Sequence, residues 1–321
     1  MTPRVSIVMP AHRAAATIGA AVSGVLTQTC TDLELIVVDD GSDDATAAIV
    51  AAHDDDRVRL VRQDNRGVAA ARNRGVAEAT APLIAFCDAD DILLPGHVDA
   101  LLRLERPRSI VTANAYWLLP GGISPSKLRH RGAFPAPSSQ RMAILEVNFV
   151  STMSLFAKAL VAEIGPFDES LQRAEDWDFW LRAVFAGYTI VHQPAPHALY
   201  RWTATSLSAS RPEMDADVRR VIERAARRTD LQDDERAYLR RRLAGPDPRQ
   251  LYRDAEQALR EGRHREAAEL YGRAAALVPH EQLLVWTARL MRLAPPLVGR
   301  VLQRRQRAKE DALGFDEGHV R

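Results

Sequence analysis

An apolar run that ends in clustered carboxylates constrains this chain more than any other stretch. Leu83-Ile84-Ala85-Phe86-Cys87 has the length and character of one strand buried on both faces of a parallel sheet. Asp88, Asp90 and Asp91 follow at once. A strand that ends this way delivers acids to the carboxyl edge of the sheet, where open α/β folds bind ligands. Asp88 and Asp90 stand two apart, so an extended backbone would point both the same way. Two hard oxygen donors on one side suit a divalent cation that also holds phosphates. Acids in isolation equally fit a solvated turn that opens the next helix, and the rest of the chain has to decide between the two.

Similar runs recur upstream. Val5–Met9 is β-branched and stopped by Pro10, and Leu33–Val38 ends in Asp39-Asp40-Gly41-Ser42. Val58–Arg62 gives a third, shorter strand. Between them, Thr17–Thr29 carries Ile18, Ala21, Val22, Val25 and Leu26 at helical spacing. Asp43–His53 reads as a helix capped by Ser42, and Val68–Ala79 is Ala-rich and helical. Alternation of strand and helix with short connections predicts a doubly wound, mostly parallel α/β sheet with helices on both faces. Farther on, strands are expected over Ser109–Trp117, Phe149–Ala157, Tyr188–His192 and His197–Trp202, with a helix over Glu175–Ala186. Trp177, Phe179 and Trp180 on that helix read as core, and His192 and His197 as structural.

Past Arg211 the chain turns to Ala, Leu, Arg and Glu with few β-branched residues. This places a boundary near 210, between an α/β domain over 1–210 and an all-α region over 211–321. Within the latter, residues 251–279 read as a single tetratricopeptide-like helical hairpin. Residues 289–309 carry seven basic side chains and no acid, interleaved with leucines and valines. That pattern suits peripheral contact with an anionic membrane surface, or a solvated helix whose apolar side packs on the hairpin. The C-terminal helices could also take a protein partner.

At 321 residues with a net charge of +1, the chain makes no case for nucleic acid as a partner. Cys30 and Cys87 have no metal-like spacing and read as reduced, small hydrophobes. The first strand begins almost at the N-terminus, and no apolar run approaches the ~20 residues of a membrane span. The expected location is therefore cytoplasmic, at most peripheral to the inner face of a membrane. Neither Gly-x-Gly-x-x-Gly after the first strand nor a Gly-x-x-x-x-Gly-Lys-Ser/Thr loop occurs, which disfavours dinucleotide and P-loop binding.

Four separated stretches together resemble the family 2 glycosyltransferases of the GT-A fold. They are VSIVMPAHR, ELIVVDDGSDDAT, DNRGVAAARNRGVAEATAPLIAFCDADD and RAEDWDFWLR, within a resemblance that covers about Val5 to Ser208. The resemblance implies a nucleotide-sugar donor, a UDP-sugar, and an acceptor hydroxyl on a glycan, lipid-linked or other molecule. It implies that Pro10 and Ala11 border the nucleotide, that Asp40 meets the base edge with Asp39 shaping the pocket, and that Arg72 lies close to the base and that acid. Asp88 and Asp90 correspond to the D-x-D pair that holds Mn2+ or Mg2+, with Asp88 also near the ribose. Asp176 corresponds to the catalytic base. Arg201, with Ser206-Leu207-Ser208 beyond it, resembles the segment that closes over the diphosphate. His12 and Arg13 depart from the aromatic and Asn usual in the family. The Arg201-Trp202 pair lacks the Gln expected of processive polymerases, where Ala198 stands instead. Single-sugar transfer with inversion follows, because one base and an in-line attack suffice. The rival expectation is a GT-A module without catalysis that recruits a partner through its helical tail. A sugar-phosphate nucleotidyltransferase ranks lower, because its Gly-rich loop is absent.

Overall fold

Four strands marked out by the apolar runs lie side by side in parallel: β1 (Val5–Ala11), β2 (Leu33–Asp40), β3 (Val58–Gln63) and β4 (Leu83–Phe86), in the order β3-β2-β1-β4. They are joined by α1 (Ile18–Leu26), α2 (Thr46–Ala51) and α3 (Val68–Glu78). The computed structural model describes residues 2–202, 211–278 and 282–312. Side chains alternate across β1, as strand geometry requires. Val5, Ile7 and Met9 pack with Ile18, Val22 and Val25 of α1. On the opposite face Val8 meets α3 so closely that a Cβ at Gly75 would lie 2.2 Å from it. Only glycine permits that approach.

Beyond β4 the sheet changes character. β5 (Ile92–Leu93), α4 (His97–Leu102), β6 (Ser109–Leu119), β7 (Gly122–Leu128), α5 (Gln140–Glu146), β8 (Ser154–Ala157), α6 (Ala159–Ile164), α7 (Glu175–Phe185) and β9 (Thr189–Arg201) complete the first unit. Strand order runs β3-β2-β1-β4-β8-β6-β9-β5, with β7 on β6. β8 runs against both β4 and β6, and β5 runs against β9. The sheet is the expected α/β sheet with helices on both faces; it is parallel from β3 to β4 and between β6 and β9, and antiparallel where β8, β7 and β5 join. The reversal has a positional consequence. β8 starts at the edge where β4 ends, so the residues just before it arrive beside Asp88.

Several local expectations are corrected. β1 does not stop at Pro10 but continues through Ala11, with Pro10 opposite Val38. Val8, on the same side of the strand as Pro10, accepts from Cys87 N–H of the β4 side, and pairing of β1 with β4 ends at Val8. The missing proline N–H therefore faces a side where the neighbouring strand has already left. Ser42 does not cap α2, which starts later, at Thr46; its Oγ instead accepts from Arg13 N–H. The strand expected from Phe149 begins only at Ser154. The two strands expected over 188–202 are one strand, β9, whose register against β6 shifts around Asn114. Pro194 and Pro196 cannot donate to the ladder there, and Asn114 Nδ2 donates to the Pro194 carbonyl at 3.1 Å.

The chain divides into two compact units, Met1–Ala209 and Ser210–Arg321. The second unit holds α8 (Arg211–Ala226), α9 (Asp233–Ala244), α10 (Pro248–Arg260), α11 (His264–Leu277), α12 (Gln282–Leu293) and α13 (Pro295–Ala312). α10 and α11 form a hairpin in which Ala255, Leu259, Ala267, Ala268, Tyr271 and Ala274 are buried together; Pro279 lies outside the described residues. Pro295 opens α13, a position where no N–H is required. No helix among the described residues is long and apolar enough to cross a membrane.

Candidate active site

The ends of β2, β4 and β9 and the start of α7 supply the polar groups. At the end of β2, Asp39 is fully buried and spends its carboxylate on the local turn, accepting from Ser42 N–H at 3.1 Å and Arg62 Nε at 3.1 Å. Asp40 reaches across to the loop before α3. Its carboxylate accepts from Gln63 Nε2 at 2.7 Å, Arg66 N–H at 2.9 Å and Gly67 N–H at 2.8 Å. The loop comes this close because Gly41, at φ 71°, has no side chain, and a Cβ there would lie 2.7 Å from Asn65 N. Pro10 and Ala11 are buried strand residues beside this corner, and His12 Nδ1 lies 2.8 Å from the Asp40 carbonyl.

After β4 the chain does not stay extended. Asp91 N–H donates to the Asp88 carbonyl at 3.0 Å, closing a turn over Asp88–Asp91. Asp is favoured at the first position of such turns. The expected extended pairing of Asp88 and Asp90 is thus replaced by a turn, which still sets the two carboxylates against each other. Burial, with Asp88 adding its charge, pushes the Asp90 carboxyl up to about 6. Asp91 faces inward, 1% exposed, and burial raises its carboxyl well above the usual range. Its Oδ1 accepts from Arg201 N–H at 2.8 Å, while Arg201 Nε donates to the Asp90 carbonyl at 2.8 Å. The pairing of Ile92 with Leu199 brings the acidic turn and Arg201 together. Ser206, Leu207 and Ser208 lie outside the described residues.

Arg72 is the centre of the site. It is neither a solvated helix residue nor a partner of Asp40. Its guanidinium, 3% exposed, donates to Asp88 Oδ1 at 2.8 Å and to Glu175 Oε1. Burial opposes its charge, yet Asp88 and Glu175 hold it more firmly protonated than an ordinary arginine. It rests over Phe86 and Phe167, members of an aromatic cluster with Phe156, Phe179 and Trp180. Burial drives the Glu175 carboxyl up to about 7 against the pull of Arg72. The side chains of Glu175 and Asp176 diverge, as neighbours on a helix must. Glu175 is buried, whereas Asp176 is half-buried and accepts from Asn148 Nδ2 at 2.9 Å. Both follow Ala174, a non-glycine residue at φ 57°. A left-handed backbone of this kind is costly outside glycine and clusters at functional sites.

The pattern of residues thus singled out Asp88, Asp90, Asp176 and Arg201 without revealing what ties them together. Thr152, whose Oγ1 donates to Asp88 Oδ2 at 3.2 Å, Asn148 and Glu175 were not assigned roles in advance. Glu175 alone carried a signal, its place beside Asp176. Among the described residues no group of three or more His, Cys, Asp or Glu side chains converges on one point. Two hard oxygen donors, Asp88 and Asp90, nevertheless fit a divalent cation. Asp90 is half-buried beside a like charge, and the five acids Asp88, Asp90, Asp91, Glu175 and Asp176 outnumber the arginines that act on them, Arg72, Arg201 and, at Asp91, Arg129. A cation whose remaining ligands come from phosphate oxygens and water would relieve that excess.

Comparison with known proteins bears on the family and the fold. The pattern described as Glycosyl transferase family 2 matches residues 6–146. The succinoglycan biosynthesis protein ExoU of Rhizobium meliloti is 31% identical over 227 residues, 66% of this chain and 66% of its own, just under two thirds of that relative. A PGL/p-HBAD biosynthesis glycosyltransferase of Mycobacterium bovis is 30% identical over 187 residues, covering 56% of this chain and 69% of the relative. Among solved structures, S. aureus TarS 1-349 in complex with UDP-GlcNAc superposes with a TM-score of 0.60 at 16% identity, covering 96% of this chain and 92% of that one. The mannosyltransferase of Pyrobaculum calidifontis in complex with GDP-Man and Mn2+ gives 0.60 at 20% identity, covering 94% and 87%. These last two likenesses bear on the fold.

Proposed function

The chain belongs to glycosyl transferase family 2, and from that premise we propose that it transfers one sugar from a UDP-sugar to an acceptor hydroxyl with inversion at the anomeric carbon. Asp176 is the base, Asp88 and Asp90 hold Mn2+ or Mg2+, and Arg201 lies along the diphosphate. The observation that carries the reading is the Asp88–Arg72–Glu175 link, which fixes the acidic turn to the helix that bears Asp176.

The acceptor oxygen attacks the anomeric carbon from the side opposite the leaving group. As that bond forms, the hydroxyl proton passes to Asp176 and the sugar–phosphate bond breaks, its electron pair leaving with the nucleoside diphosphate. A carboxylate placed to take the proton contributes about 10²–10⁴-fold. Asn148 orients it by donating to one oxygen. Retention would need a second carboxylate free to act as nucleophile, and Glu175 is buried against Arg72. The divalent ion supplies Lewis-acid stabilisation of charge on the departing diphosphate. Asp40 clamps the loop that flanks the proposed base pocket, so its contribution to nucleotide binding includes holding Arg66 and Gly67 in place. Involvement in cell-surface glycan or glycoconjugate synthesis follows from the names of the relatives and is part of the same proposal.

The test is a panel of nucleotide sugars assayed for hydrolysis and transfer with and without Mn2+. Metal-dependent turnover of a UDP-sugar, lost in Asp176→Asn while UDP still binds, is the expected result. Binding of UDP without turnover of any donor would favour the non-catalytic module instead.

A further inference from the structure

The C-terminal unit carries an apolar surface that its own core does not use. α12 is apolar on two sides: Leu284, Ala288 and Met291 are buried with the hairpin, at 5%, 4% and 0% exposure. Its other side leaves Leu283, Trp286, Leu290 and Leu293 exposed by 83%, 57%, 49% and 83%. The row continues past the proline pair into α13 with Leu297 and Val301. Within each helix, steps of three and four residues put these side chains on one face, so the apolar ridge consists of two faces interrupted at Ala294. These six are most of the eight large apolar side chains exposed among the described residues. Single exposed leucines need no explanation, but six such side chains on two consecutive helices mark a surface that is normally covered.

Charge says what covers it. From Gln282 to Lys309 the sequence holds seven arginines and lysines and no aspartate or glutamate. Arg289, Arg292, Arg300 and Arg304 are exposed beside the ridge, and the Arg289 guanidinium sits 5.4 Å from the centre of the Trp286 ring. A second copy meeting this face would bring arginine against arginine with no acid to pair. Nucleic acid would neutralise the charge but leave the leucines wet. An anionic bilayer surface meets both requirements, taking leucine and tryptophan at the headgroup boundary while arginines reach lipid phosphates. We propose that the ridge Leu283–Val301 seats the protein on the surface of an anionic membrane, lying on the bilayer rather than crossing it. The face starts six residues before the basic stretch that marks it in the sequence.

The test uses the full chain and two kinds of vesicle, phosphatidylcholine alone and phosphatidylcholine doped with phosphatidylglycerol. Co-sedimentation with the doped vesicles only is expected, together with a blue shift of tryptophan emission that Trp286→Phe removes. Leu293→Glu with Leu297→Glu should abolish binding. Arg292→Glu with Arg300→Glu should weaken it at least about 25-fold, at roughly fivefold per basic residue lost near the surface. All four side chains are exposed, so circular dichroism and melting should stay as in the parent. Equal binding to both vesicle types, no binding to either, or unchanged binding by the leucine pair would overturn the proposal. A parent that ignores vesicles and self-associates, becoming monomeric in the leucine pair, would assign the ridge to a second copy instead.

Discussion

The two units treat charge and apolar surface in opposite ways. In the first, Trp177 and Trp180 are buried, and so are Arg72, Asp91 and Glu175, with Asp90 half-buried. In the second, Trp286 and five aliphatic residues of the ridge are exposed and arginines stand outside with them. Burying ions is expensive and is tolerated where geometry matters more than stability. Leaving leucines in water is tolerated where something is to cover them. The first unit is thus built to hold groups in place, and the second to present a surface.

Substitutions can break or sharpen this contrast. The largest effect belongs to Asp176→Asn, which should lower turnover about 10²–10⁴-fold with UDP affinity and melting unchanged. Full activity in that variant would move the base elsewhere. Next comes Arg72→Met, which leaves the buried Glu175 and the half-buried Asp88 without their cation. A loss of about 3–5 kcal/mol is expected by denaturant unfolding, partly restored when Glu175→Gln is added. A loss below about 1 kcal/mol would mean the buried pair is not holding the two elements together.

pH gives a third handle. Asp90 and Glu175 have folded values above their unfolded ones, at about 6 and about 7. The folded chain therefore holds more protons than the unfolded one in the windows from 3.8 to 6 and from 4.5 to 7, and both contributions to stability are lost as pH rises through them. Glu175→Gln should accordingly flatten the decline of melting temperature between pH 5 and 7. Mn2+-dependent UDP binding should strengthen as pH rises toward about 6, up to tenfold per unit, and level off above it, since the ion competes with the proton on Asp90. The smallest effect is expected in the other unit. Leu293→Glu should change stability by no more than about 0.5 kcal/mol, whereas a large loss would show that the ridge serves the fold.

Much of the fold was legible because burial on both faces of a strand leaves a continuous apolar run, as in Ile84-Ala85-Phe86. The acids at the ends of β2 and β4 were legible for the same reason, since a run that stops abruptly in aspartates reveals its edge. What failed depended on partners distant in sequence. Nothing around Arg72 announces that its guanidinium bridges Asp88 and Glu175, 16 and 103 residues away. The reversal of β8 was hidden because direction is not written in a four-residue strand. Pro194 and Pro196 made one strand look like two, because the side chain of Asn114 that bridges the gap comes from β6.

On the proposed function, the Asp88–Asp91 turn and the start of α7 frame one metal-assisted diphosphate site. A crystal structure of the protein with UDP and Mn2+ tests this most directly. The ion should be bound by Asp90 and by oxygens of both phosphates, with Asp176 facing the open side where an acceptor would enter. An ion held away from Asp90, or a UDP seated without reference to the acidic turn, would contradict it.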